Sequence, residues 1–232
     1  MLEVTFVQQL TAWVLPVLLA ITVHEAAHGW VARMFGDHTA ELQGRLTLNP
    51  FKHIDPVGTI LVPGLMLLLP GGFLFGWAKP VPVEWRNLRN PKQDMGWVAI
   101  AGPASNLVMA MLWAFAVRVA LGLPADNFVA LPLLFMGVAG IFINTILMSL
   151  NLLPLPPLDG GRVLVGLLPD RLAYQVARIE PYGIWILIFF LMTGMVSWIL
   201  WPFVRFFLGM MISLSGAETR HFEMIRIALM GS

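Results

Sequence analysis

Residues 4–28 read VTFVQQLTAWVLPVLLAITVHEAAH. Twenty positions pass without a charged side chain or a histidine, and then three ionisable groups arrive within five residues. At about 1.5 Å of rise per residue, twenty apolar residues on a helix cover roughly the 30 Å hydrocarbon core of a bilayer. The stretch predicts a membrane-spanning helix that carries His24, Glu25 and His28 near its C-terminal end. Ionisable groups at such depth are costly, and by default they mark a functional site.

The rest of the chain repeats the pattern. Residues 56–78, 95–117, 127–158 and 181–204 also lack any charge or histidine. Of 232 residues, 14 are Lys or Arg and 13 are Asp or Glu, which is 12% charged. A soluble domain carries about 25%. Hydrophobic residues make up 58%, and the mean hydropathy is +0.79. This excludes a disordered chain, almost any soluble globular domain and a binder that reads nucleic acid with a basic surface. The expected fold is an all-α polytopic membrane protein of five to six membrane segments, embedded in a lipid bilayer. It forms one domain over 1–232, with a core at 6–165 and C-terminal helices at 181–214. No Lys or Arg precedes the first apolar run, so no cleavable signal peptide is expected.

Three regions depart from simple helical spans. In 56–78, Pro56, Pro63 and Pro70 precede Gly71-Gly72, which predicts a re-entrant or broken segment. Residues 44–50 and 79–83 alternate apolar with polar or proline positions, and predict short membrane-associated β segments. Residues 162–179 mix apolar side chains with Arg171 and Arg178, and read as an interfacial amphipathic helix interrupted at Pro169. Gly137, Gly140 and Asn144 are candidate helix-packing positions.

HEAAH is an HExxH pattern. Positions i and i+4 share a helix face, so His24 and His28 can reach one zinc ion. Glu25, about 100° around the helix, can take a proton from a water activated by the metal. A catalytic zinc needs a third protein ligand. The chain has no cysteine. His38, His53 and His221 are available, but Asp159 is the stronger candidate. It ends the 127–158 run, after Pro154, Pro156 and Pro157 and directly before Gly160-Gly161.

These motifs together resemble the site-2 protease family, the intramembrane zinc metalloproteases. HEAAH (24–28) is similar to its first motif and NLLPLPPLDGGR (151–162) to its second, in which the resemblance implies that Asp159 is the third ligand. Gly102-Pro103-Ala104-Ser105-Asn106 is similar to a third signature. The segments GRLTLNPFKHIDPVGT and GWAKPVPVEWRNLRNP look like the compact branch, without an added regulatory domain. The implied activity is a zinc endopeptidase, with one Zn²⁺ per chain, that cuts transmembrane protein substrates. Asn106 and Asn151 are candidate substrate or oxyanion contacts, and His53 a candidate support behind the ligands. The resemblance also implies that an edge such as 44–50 or 79–83 pairs with an unwound substrate. A different membrane zincin would take Glu180 as third ligand instead. The oligomeric state is left open.

His24 and His28 can meet Asp159 only if 56–78 makes no single crossing. On that arrangement ten Lys and Arg share one face and four the other; a single crossing would split them seven and seven. The positive-inside rule then expects the N-terminus outside and the site near the cytoplasmic face, and the resemblance to the compact branch implies a prokaryotic cell membrane.

Overall fold

A computed structural model describes residues 4–61, 78–124 and 126–230. The helices are α1 (Phe6–Met34), α2 (Thr39–Leu42), α3 (Pro91–Gly122), α4 (Ala130–Asn151), α5 (Asp159–Leu167), α6 (Asp170–Ala177), α7 (Glu180–Met192), α8 (Met195–Ser215) and α9 (Thr219–Met230). Among the described residues, α1, α3, α4 and α8 are long and apolar enough to cross a membrane. The α6–α7 pair, bent by 61°, makes a fifth if counted as one span.

Local chemistry sets the helix ends. Thr5 and Gln8 form a reciprocal capping box at the start of α1, at 3.3 and 2.9 Å. The charge-free run 181–204 is broken between α7 and α8 at Gly194, whose φ of 75° is open to glycine at little cost. The amphipathic stretch splits as expected, with α5 ending before Pro169.

The core lies between α3 and α4, flanked by α1 and α8. Ala110, Ala114, Val117, Val138 and Ile141 are buried there. A Cβ on Gly140 would run into the ring of Trp113, so this glycine lets the helices close together. The tail beyond Ser215, for which the sequence shows no pattern, folds into α9. Its Phe222, Ile225 and Leu229 enter the core. Gln9 Nε2 and Trp13 Nε1 donate to the carbonyls of Ala228 and Leu229 at 3.0 Å, satisfying acceptors that a helix end leaves open.

No strand forms among the described residues, which corrects both β assignments. At 44–50 the polar groups turn back on themselves. Gly44 has φ 62°, Arg45 N donates to Ala40 O, and Asn49 N donates to Thr47 Oγ1. At 79–83, Pro80 and Pro82 have no N–H to offer one edge. On the other edge Lys79 N donates to His53 O and Val81 N to the Glu25 side chain. The expected re-entrant segment at 56–78 lies mostly outside the described residues; Pro56–Leu61 forms a π-helical turn.

The two ends of the 38–83 region lie side by side. Arg89 N donates to Phe35 O at 3.0 Å, and buried Asp37 takes up the rest. Its Oδ1 accepts from Thr39 N and from Asn87 Nδ2, and its Oδ2 from Glu84 N, at 3.0, 3.1 and 2.8 Å. Burial pushes the Asp37 carboxyl up, but the Thr39 hydroxyl, which also donates to Oδ1, together with these hydrogen bonds outweighs it and holds it below its ordinary value of 3.8. A depressed carboxyl stabilises the fold above the unfolded value, and that stability is lost as pH falls through the folded one. Thermal unfolding in detergent is therefore expected to show an acid-sensitive contribution that Asp37→Asn removes, at a cost of about 1–3 kcal/mol at neutral pH.

Candidate metal centre

Two helices bring three donor atoms to a single point. His24 and His28 stand one turn apart on the inward face of α1, and Asp159 opens α5. Nε2 of His24 and Nε2 of His28 are 3.1 Å apart, and Asp159 Oδ2 lies 3.2 and 3.4 Å from them. Around Asp159 the backbone is drawn tight: a Cβ on Gly160 or Gly161 would meet the main chain of residues 152–156. That approach folds the 152–158 turn back under the first turn of α5.

The hydrogen bonds behind the rings decide which nitrogens face inward. His28 Nδ1 lies 2.7 Å from Val98 O. A carbonyl only accepts, so Nδ1 carries the proton and Nε2 presents a lone pair. His24 Nδ1 lies 2.6 Å from Asn106 Oδ1. The Asn106 amide is oriented by its other end, where Nδ2 donates to Ala20 O at 3.1 Å and to Asn144 Oδ1 at 2.9 Å. Asn144 is oriented in turn by donating to Gly140 O at 2.9 Å. Two imidazole lone pairs and a carboxylate oxygen therefore point at one another in a buried site, and Asp159 Oδ2 has no hydrogen-bond partner.

That donor set fits a zinc ion. Donors at about 2.0–2.1 Å around a tetrahedral centre stand roughly 3.4 Å apart, close to the observed triangle. The space is kept open by Gly102, where an added Cβ would lie 2.5 Å from His28 Nε2 and 2.6 Å from His24 Nε2. Among the described residues, His24, His28 and Asp159 are the one group with this geometry.

The site opens into a cavity of about 210 Å³. Glu25 and Asn151 line it, with apolar walls from Pro80, Val81, Val83, Val98 and Pro157. Glu25 Oε2 accepts from Val81 N at 2.8 Å. At the edge, Arg162 stacks over Trp85 with 5.0 Å to the ring centroid.

Other candidates fall elsewhere. Asn106 is fully buried with both ends of its amide engaged, and it holds His24. Asn151 remains at the cavity, with Nδ2 donating to Leu147 O at 3.0 Å. His53 is buried, bonds Thr47 O at 2.9 Å, and does not support the ligands directly. His38 and His221 pair with Glu41 and Glu218 at the surface. Glu180 pairs with Arg162 at 3.3 Å and is not among the three donors. The backing roles of Asn144 and the Val98 carbonyl were missed in the sequence. Val98 O carries no side-chain signal at all, whereas Asn144 was legible in the sequence only as a helix-packing position.

No family model matches the chain, and no solved structure matches it. Named relatives do. The chain is 39% identical over 197 residues to "Putative zinc metalloprotease YwhC" of Bacillus subtilis, covering 83% of this chain and 85% of that protein. It is 32% identical over 188 residues to "Putative zinc metalloprotease Rip2" of Mycolicibacterium smegmatis, covering 81% and 68%. With "Putative zinc metalloprotease MJ0611" of Methanocaldococcus jannaschii it shares 28% over 144 residues, 61% of this chain and 62% of that protein. At that identity and coverage, and with these motifs meeting at one buried point, the chain belongs to the site-2 protease family of membrane zinc metalloproteases.

Proposed function

We propose that this protein is an intramembrane zinc endopeptidase of the HExxH type, hydrolysing peptide bonds in or near the transmembrane segments of membrane proteins, as in regulated intramembrane proteolysis. The observation that carries the reading is the buried triangle of His24, His28 and Asp159 with Glu25 on the same cavity. The three donors would hold one zinc ion, which when bound lowers the pKa of water toward about 7 and polarises a carbonyl.

Glu25 takes the proton of the attacking water and returns it to the nitrogen of the leaving amine. Asn151 offers its amide to the carbonyl oxygen as negative charge develops there. The apolar walls at Pro80, Val81, Val83 and Pro157 receive an apolar side chain and restrict bulk water. His24 is kept in its ligating tautomer by Asn106, and His28 by Val98 O. A substrate helix must unwind locally before the reaction, because its carbonyls are hydrogen-bonded and covered. The unequal charge distribution supports an N-terminus outside and a site near the cytoplasmic face.

The test is cleavage of a model transmembrane substrate by the purified protein, with bound zinc measured on the same samples. Glu25→Gln is expected to keep zinc and lose cleavage by about 10²–10⁴-fold. Asp159→Ala is expected to lose both. A Glu25→Gln protein that cleaves at the wild-type rate overturns the reading. Gly102→Ala puts a methyl group where the ion would sit, so it is expected to fold with wild-type helicity and fail to retain zinc. Asn106→Ala is expected to weaken zinc retention about 10–100-fold in chelator competition, without moving the substrate KM.

A further inference from the structure

Arg45 is a buried cation, only 8% exposed, and no carboxylate lies within ion-pairing distance of it among the described residues. Burying an unpaired guanidinium is costly, so its partners are informative. Nη2 donates to Lys79 O at 3.0 Å and to Pro80 O at 3.3 Å, while Nε has no partner. The hydrogen bonds the guanidinium makes both go, from Nη2, to carbonyls of the Lys79–Val83 segment.

That segment is unusual in what it can offer. Pro80 and Pro82 carry no N–H, so Val81 supplies the one donor between Lys79 and Val83. Val81 N donates to Glu25 Oε2 at 2.8 Å. The peptide unit joining Pro80 to Val81 is therefore bonded at both ends, with the Arg45 guanidinium on its oxygen and the Glu25 carboxylate on its nitrogen. Each bond polarises the peptide in the sense that strengthens the other. Two further contacts hold the segment down. Lys79 N donates to His53 O at 2.9 Å, and the Val81 side chain rests on α1 at Gly29, 3.0 Å from where a Cβ would stand.

We propose that Arg45 is a positioning residue for Glu25: its guanidinium fixes the Pro80–Val81 peptide, whose N–H orients the carboxylate that takes up and returns the proton. A base held by a third group is the arrangement an acid–base step requires. One oxygen of Glu25 is tied to Val81, which leaves the other for the water in the cavity. This inference rests on the peptidase reading above and adds to it the group that aims the base.

The experiment compares wild type, Arg45→Met and Arg45→Lys in detergent, with three readouts: kcat and KM on the model transmembrane substrate, zinc per chain, and hydrogen exchange at the Val81 amide in valine-labelled protein. Arg45→Met keeps an apolar stem and loses both charge and donors. It is expected to lower kcat about 10–100-fold with KM within about threefold, to keep its zinc, and to speed Val81 exchange at least about tenfold. Arg45→Lys, a point charge without the planar fork, is expected to recover part of kcat and part of the Val81 protection together. Wild-type kcat in Arg45→Met overturns the proposal, as does a loss carried by KM, or a fall in kcat with Val81 as protected as in wild type. If Arg45→Met does not fold, Arg45→Lys decides by the same criterion: loss of kcat must track loss of protection. A wild-type protein that cleaves nothing overturns the peptidase reading instead, and slow Val81 exchange that quickens in Arg45→Met still upholds the link to Glu25.

Discussion

Two imidazole nitrogens and one carboxylate oxygen are forced within 3.1–3.4 Å of each other, with their lone pairs converging, in a buried site. Lone pairs at that distance repel unless a cation lies between them, and burial removes the water that would screen them. The packing of α1, α3, α4 and α5 around this point has to supply what holds the donors there. Glycine at 102 removes the atom that would fill the centre, and Gly160 and Gly161 bring the aspartate close enough to reach it.

The orientation of the ligands is inherited from the bundle interior. Gly140 O aims Asn144, Asn144 aims Asn106, and Asn106 sets the proton on His24. The glycine that offers this carbonyl also lets α4 lie against Trp113 of α3. Helix packing and ligand chemistry therefore share a residue. A shift of α4 against α3 would be felt both as a packing loss and as a change in the donor presented to the metal.

The other half of the site comes from irregular chain. The Lys79–Val83 segment has few hydrogen-bond donors because two of its residues are proline, and its first groups go to Arg45, His53 and Glu25. The Asp37 cluster holds the following residues to the end of α1. A wall of the cavity is thus pinned at both ends and touches Glu25 in the middle. Chain of this kind is costly within a membrane unless its backbone groups are satisfied by protein, and here Arg45, Glu25 and the His53 carbonyl satisfy those of Lys79, Pro80 and the Val81 N–H.

Sequence alone determined the membrane class, the all-helical plan, and the residues His24, Glu25, His28 and Asp159. Charge-free runs of twenty residues and the i, i+4 spacing are local properties that need no partner to be read. The break at Pro169 was legible for the same reason. Asn106 and His53 were legible as candidates, but their partners, His24 and the Thr47 carbonyl, were not. Only the tertiary structure decided that Asn106 faces a histidine, that Arg45 reaches the 79–83 carbonyls, that this segment is no strand, and that the tail caps the bundle. Each depends on which groups from distant parts of the chain satisfy one another's hydrogen bonds, and that pairing is set by packing in three dimensions, which no local pattern encodes.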